Sequence, residues 1–481
     1  MKFASLLLVS ALALVSISAF AQPPSKRFVI TDHGAVGDGT TVNTRALQAL
    51  IDRCANDGGG TVVVPKGVFL SGALYFKQGV HLLVEKDAVL KSTIAIADFP
   101  PIYTRWEGIE RYWTSAFLNF VGLKNVVVSG EGTIDGSGDA WAGFGQNVRQ
   151  AGGPGAARAA PATSEAARGA TGPPPSLPKP ADVYPSPLPT TATLNFAPDR
   201  TKTPVINAAC VALGRDAGGA INTPPRAIVF QHCSDVRISG LTLKNQARWG
   251  YVFIYCEDVV AEKLTAKAEH YIPSSDGMDI DSCRRVLVTG CYFDCNDDCI
   301  SLKSGKDEDG LRVARPCEDI IIEKTVFAYG HGGAAMGSET SGGIRNVEVR
   351  DCIAEANNWA PIRFKSQPSR GGVVENITYR NIELRDVRQA VEFSMAWRMV
   401  PPIAPPAKIL PVVRNVKLIN LHGTATAVGS MHGLADSFID GITFENCTIT
   451  AQRGLTIEHA KNVATAGLVI TVKEGEPIVR R

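Results

Sequence analysis

Six residues in the middle of the chain could act together on one bond. They are Asp276 in Ser-Ser-Asp-Gly, the adjacent Asp297 and Asp298 in Asn-Asp-Asp-Cys, His331 in Gly-His-Gly, and Arg363 and Lys365 on either side of Phe364. Carboxylates held close together cannot all ionise cheaply, so one keeps its proton while its neighbours stay charged. That is the division of roles that glycosidic bond cleavage needs. Taken alone, Asp297-Asp298 equally suits a solvated corner or a calcium site. His331, among Gly330, Gly332 and Gly333, reads either as a corner histidine or as a residue whose glycine neighbours let a ligand approach closely. On a strand, Arg363 and Lys365 project to the same side while Phe364 enters the core. Two fixed cations beside an acid cluster suit an anionic sugar, with arginine able to grip a carboxylate in two places; the alternative is an ordinary solvated strand face.

For these residues to meet, the elements carrying them must repeat and stack. A phrase of Asn or Asp, then Val or Ile, then alternating apolar residues returns at Asn125-Val126, Asp235-Val236, Asp258-Val259, Asp319-Ile320, Asn346-Val347, Asn376-Ile377, Asn415-Val416 and Asn462-Val463. Arg285-Val286 and Gly441-Ile442 keep the register without the Asn or Asp. From Val236 onward the steps range from 21 to 39 residues, one coil each, with loops at the corners absorbing the unevenness. The phrases are β-branched and short, which favours strand over helix. The pattern predicts an all-β chain, a single-stranded right-handed parallel β-helix forming one domain over residues 22–481. A β-sandwich would show more regular turns and hairpin dipeptides between strands. The blade signature of a propeller is lacking. On this reading Asp276 and Asp297 are vertical neighbours on successive coils, with His331 and then Arg363 and Lys365 one coil further each.

Before the coils, Ala46, Leu47, Leu50, Ile51 and Cys54 recur at helical spacing, and Gly58-Gly59-Gly60 ends the segment. This predicts a helix over 43–55 that caps the open end of the coil and hides its apolar core. Residues 143–225 turn to Ala, Gly and Pro, an irregular insertion that lies over the groove or hangs free.

The 481 residues, 45% of them hydrophobic, suffice for a large core. Lys and Arg number 49 against 47 Asp and Glu, so no general charge draws the chain to nucleic acid or anionic lipid. Met1 to Ala21 reads as a signal peptide, with Lys2 at its start, an apolar centre from Leu6 to Val15, and Ala19-Phe20-Ala21 before the cut. This predicts a periplasmic or secreted protein with no membrane span after cleavage. Eleven cysteines permit disulfides in that compartment, but the odd number leaves one thiol over. Cys233, Cys256, Cys283 and Cys317 precede similar strands, which predicts a column of buried side chains rather than metal ligands.

The ordered motifs Ser274-Ser275-Asp276, Asp297-Asp298, Gly330-His331-Gly332 and Arg363-Phe364-Lys365 resemble those of the polygalacturonase family of glycoside hydrolases, family 28, of bacterial type. Asp32 to Thr40, Thr104-Arg105-Trp106-Glu107-Gly108 and Gly130 to Gly136 are also similar, so the likeness covers nearly the whole chain. The resemblance implies a pectin-lyase-like solenoid and inverting hydrolysis of α-1,4-linked galacturonic acid bonds in pectin. In that scheme Asp297 protonates the leaving oxygen, Asp276 and Asp298 hold and deprotonate the attacking water, His331 supports the acid, and Arg363 and Lys365 bind the galacturonate carboxylate. It implies no metal and no organic cofactor; the partner is a pectic polysaccharide or oligogalacturonide. Ser274 and Ser275 stand where the family usually has Asn and Thr, which bears on fine specificity. Exo attack, rhamnogalacturonan or xylogalacturonan as substrate, a calcium-dependent pectate lyase on the same coil, and a noncatalytic polysaccharide-binding β-helix are the alternatives.

Overall fold

The computed structural model describes residues 26–141, 223–356, 358–397 and 407–481. The signal peptide expected over 1–21 and nearly all of the insertion expected over 143–225 lie outside the described residues. Thirty-one of the described strands join one ladder, and every pairing within it is parallel, as at Val236↔Val259 and Val286↔Ile320. The chain therefore winds as a parallel β-helix, right-handed as parallel crossovers are.

The recurring phrases form a continuous column: Val126, Val236, Val259, Val286, Ile320, Val347, Ile377, Val416, Ile442 and Val463 are register partners in succession. The residue before each anchor has a left-handed backbone, with φ between 50° and 60° at Asn125, Asp235, Asp258, Arg285, Asp319, Asn346, Asn376, Asn415 and Asn462, and φ 70° at Gly441. This explains the motif. A coil must turn a corner there, and Asn, Asp and Gly enter that conformation at least cost. Arg285 breaks the pattern and is held by two carboxylates, Asp258 at 2.6 Å and Glu257 at 3.1 Å.

The expected capping helix is present as Thr44–Asn56, with Leu47, Leu50, Ile51 and Cys54 buried against the first coils. Asn43 does not cap through its side chain; that amide instead ties down the preceding loop at Val36. Inside the coil, aromatic rings stack vertically, Phe76 on Phe120 at 4.3 Å, Phe120 on Phe230 at 4.7 Å, and Phe230 on Phe253 at 5.1 Å. The cysteine column also forms: Cys233, Cys256, Cys283 and Cys317 are buried and unbridged, and Cys256 N lies 3.3 Å from Cys283 Sγ.

One element departs from the repeat. The strands Pro101–Trp106 and Ile109–Thr114 form an antiparallel hairpin that folds over one outer face of the coil. Its Trp106 stacks on Trp249 of the coil with centroids 6.0 Å apart, over a small second core containing Val229, Val252 and Ile254. Sequence periodicity misses this hairpin because it belongs to no coil. No helix among the described residues is long and apolar enough to cross a membrane.

Candidate active site

The site occupies the outer side of one sheet face. Four successive strands alternate core and outward residues: Met278-Asp279-Ile280-Asp281, Ile300-Ser301-Leu302-Lys303, Ala334-Ala335-Met336, and Ile362-Arg363-Phe364-Lys365. Their register aligns Ile280, Leu302, Met336 and Phe364 inside. Phe364 then stacks on Phe393 at 4.2 Å. Asp279, Ser301, Ala335 and Arg363 align outside. The strand alternation places chemistry on one side and packing on the other.

Asp276, Asp297 and Asp298 meet at the entrance to these strands, each offering a carboxylate oxygen within 4.8 Å of the others. Backbone bonds fix the stack: Gly277 N donates to Asp298 O at 3.0 Å, and His331 N donates to Asp297 O at 3.0 Å. The nearest oxygens are closer than the roughly 6.5–9.5 Å between carboxyl groups usual for inverting hydrolases. The coil explains this, since stacked strands are only about 4.7–4.9 Å apart. Three such acids could also chelate a divalent cation, but their positive counterpart comes from the protein itself. Lys365 Nζ bonds Asp298 Oδ2, and Arg363 Nη1 lies 3.5 Å from Asp298 Oδ1.

All six residues singled out from sequence come together, with differing exposure. Asp276 and Asp298 are buried, whereas Asp297 is partly open to solvent and His331 more so, His331 Nδ1 lying 3.2 Å from Asp297 Oδ1. Arg363 and Lys365 are only 5% and 7% exposed, so neither is a free surface cation. Arg363 donates to Glu392 at 2.6 Å, and the Trp397 ring lies over its guanidinium at 4.7 Å.

The glycines around His331 serve a purpose other than ligand access. A Cβ on Gly332 would lie 2.7 Å from Asp298 Oδ1, and one on Gly330 would lie 2.6 Å from Asp297 O. They admit the acids of the coil below. Ser275 is buried, donates to Ile272 O at 2.9 Å and accepts from Asn296 N at 3.2 Å, so it holds the Asp276 turn to its neighbour. Ser274 sits at φ 55°, a conformation asparagine tolerates better than serine.

Proton distribution follows burial. Burial raises Asp276 well above the usual carboxylate range, helped by the charges of Asp279 and Asp297. Burial also pushes Asp297 upward, but the His331 hydrogen bond and the Lys365 charge outweigh it, and the net shift is downward. Of these acids, Asp276 is the one pushed up and Asp297 the one held down.

Beneath these acids lies a buried charge network that single-motif reading misses. Lys303 Nζ is 3.0 Å from Glu339 and 3.6 Å from Asp279, and stands 4.7 Å over the Trp249 ring. Arg105 of the hairpin, in the motif noted from sequence, reaches Asp281 at 3.0 Å and Ser282 at 2.7 Å. Gln246 Nε2 donates to the carbonyls of Ser275 and Asp276, both at 3.1 Å. Charged residues at alternate positions of an otherwise apolar strand, as in Met278–Asp281, were the available signal.

Clustered acids backed by fixed cations on the outer face of a parallel β-helix suit acid–base chemistry beside an anionic ligand. The model of the glycosyl hydrolases family 28 matches residues 215–472, and the chain belongs to that family, which makes it a glycoside hydrolase. Its relatives include "Probable polygalacturonase" of Vitis vinifera, 24% identical over 92% of this chain and 77% of that one. Another is an exo-poly-alpha-D-galacturonosidase of Dickeya chrysanthemi, 28% identical over 76% of this chain, which spans 57% of that enzyme's length. A hyperthermoactive exopolygalacturonase from Thermotoga maritima shares the fold with TM-score 0.70 at 24% identity, over 94% of this chain and 93% of that one.

Proposed function

We propose that the protein is an exported hydrolase of α-1,4-linked galacturonan that inverts the anomeric centre and attacks from a chain end. The observation that carries this is the acid trio of Asp276, Asp297 and Asp298 within 4.8 Å, flanked by Arg363 and Lys365 at Asp298. Asp297, the most accessible of the three acids, delivers a proton to the glycosidic oxygen as the bond to the anomeric carbon breaks. Asp276 and Asp298 orient a water on the opposite side of the ring, and the ionised carboxylate of the two takes its proton as its oxygen bonds to that carbon. Arg363 and Lys365 receive the sugar carboxylate.

That last contact addresses the proton distribution. The charge of Lys365 helps hold Asp297 down; pairing Lys365 with a substrate carboxylate withdraws that effect and raises Asp297 as the sugar seats. The acid must be protonated, so activity falls as pH rises through its pKa. Since kcat/KM reports the free enzyme and kcat the complex, the alkaline limb of kcat should lie at higher pH than that of kcat/KM. Coincident limbs would remove this account of how Asp297 acquires its proton.

Support for end attack comes from the likeness to the exo-poly-alpha-D-galacturonosidase of Dickeya chrysanthemi. The direct test is incubation with polygalacturonate, with and without chelator, following reducing ends, ultraviolet absorbance and early products. Hydrolysis yields reducing ends without absorbing unsaturated sugars, and end attack yields monomer or dimer before any ladder. Absorbing products abolished by chelator would mean a lyase. Proton NMR of the first product tests inversion, which requires the β-anomer from the α-linked chain. Support for export comes from the leader-like Met1 to Ala21, and N-terminal sequencing of the mature protein tests it.

A further inference from the structure

Apart from the acid trio, one other group of metal-capable side chains assembles among the described residues: His432, Glu458 and His459, each offering a donor atom within 4.8 Å of the others. Two successive coils bring them together. His432 ends the strand Val412–His432 and is the register partner of Glu458, which ends the strand Cys447–Glu458. His459 follows at once, and on a regular strand it would face away from Glu458. Its backbone instead turns left-handed, with φ 48°, which ends the alternation and leaves both side chains in one cluster. Two backbone bonds hold that turn: Gly433 N donates to Glu458 O at 3.0 Å, and Ile439 N donates to His459 O at 3.1 Å.

Two features set this cluster apart from the other charged ladders. Glu323 and Glu375 each meet an arginine at 2.6 Å, whereas Glu458 meets an imidazole, His432 Nδ1 lying 3.2 Å from its Oε2. That spacing is close to the roughly 3.3 Å that separates two ligands of a tetrahedral ion with bonds of about 2.0–2.1 Å. Secondly, His459 Nδ1 is buried and has no hydrogen-bond partner. A buried polar atom without a partner costs free energy, and coordination to a cation removes that cost. The two imidazole rings have centroids 6.1 Å apart and planes at 85°, so they approach the cluster from different sides.

We propose that His432, Glu458 and His459 bind a zinc ion through two imidazole nitrogens and one carboxylate oxygen, and that this site fastens the late coils of the solenoid. The donor set decides the metal, since imidazole favours zinc and its transition-metal neighbours while calcium and magnesium prefer oxygen shells. A fourth position is left for water. At the other end of the solenoid the helix Thr44–Asn56 covers the first coils. The described elements from Val412 onward are strands alone, and there a metal joining the strand that ends at His432 to the one that ends at Glu458 supplies a cross-link instead. The role is structural and stands apart from the reaction at Asp297.

The test uses the untagged protein, stripped with chelator, freed of it and titrated calorimetrically with Zn²⁺, Ca²⁺ or Mg²⁺. Zn²⁺ should bind at about one equivalent and raise Tm by about 3 °C at a roughly hundredfold excess over Kd, and Ca²⁺ and Mg²⁺ should do neither. Glu458→Gln and His459→Ala should each weaken Zn²⁺ binding at least about tenfold and remove the rise in Tm. Asp297→Asn, in the other acid cluster, should keep both. In wild type, bound zinc should also shield His432 and His459 from diethyl pyrocarbonate, as mapped by mass spectrometry. The site is overturned if wild type takes up no zinc, if folded Glu458→Gln and His459→Ala bind it as wild type does, or if Asp297→Asn loses it. Modification of both histidines that bound zinc leaves unchanged overturns it as well, even where a variant fails to fold.

Discussion

Charged side chains stack along the coil on two faces of this molecule, with opposite consequences. On the anchor face, pairs such as Arg345 with Glu318, Arg350 with Glu323 and Arg414 with Glu375 each lie 2.6 Å apart, with the arginines a third to a half exposed. Water screens them, and each contributes only about 0–1 kcal/mol. On the active face, Lys303, Asp279 and Glu339 are at most 5% exposed, under a hairpin that excludes solvent. Breaking such a buried set leaves an uncompensated charge. One stacking rule therefore builds a solvated exterior on one side and an electrostatically loaded site on the other; the hairpin makes the difference.

The largest effect should come from Asp297, the proposed general acid. Asp297→Asn is expected to lower kcat by about 10²–10⁴-fold with little change in melting temperature, since Asp297 is partly open to solvent; a variant retaining wild-type turnover would remove it from the acid role. Next is Lys303→Met, expected to cost about 3–5 kcal/mol in denaturant unfolding, because Asp279 and Glu339 lose their shared cation. A loss below about 1 kcal/mol would mean that the network is wetter than its burial indicates.

Asp279 allows a smaller test with a defined sign. Burial raises its pKa well above the usual range against the pull of Lys303. A carboxyl whose folded pKa exceeds its unfolded value contributes stability that is present below the unfolded pKa and lost as pH rises through the folded one. Wild type should therefore lose stability on going from acid toward neutral pH, and Asp279→Asn should lose less, as read from urea midpoints across that range. The smallest effect belongs to the anchor face, where Arg414→Ala should cost less than about 1 kcal/mol and still less at high salt. A loss approaching that of Lys303→Met would erase the contrast between the two faces.

The repeat is legible in the sequence because left-handed corner residues are few in type. Asn or Asp at eight of the ten phrases marks the corner, Gly441 makes a ninth, and the following Val or Ile marks the strand. The six site residues are legible because coils of similar length bring regularly spaced motifs into line. Residues that act across the repeat are harder to read. Arg105 reaches Asp281 from 176 residues away, on a hairpin that obeys no coil period. The role of Gly332 also depends on what stands beneath it, an Asp298 oxygen that a Cβ would meet at 2.7 Å.

By itself, the sequence determined the coil, its register column, the capping helix and which acids and cations share a face, since all follow from local backbone preference and period. Only the tertiary structure decided which of those charges are desolvated, and so which acid is pushed up and which held down. Burial and proximity are properties of what packs across a coil, and no local pattern encodes them.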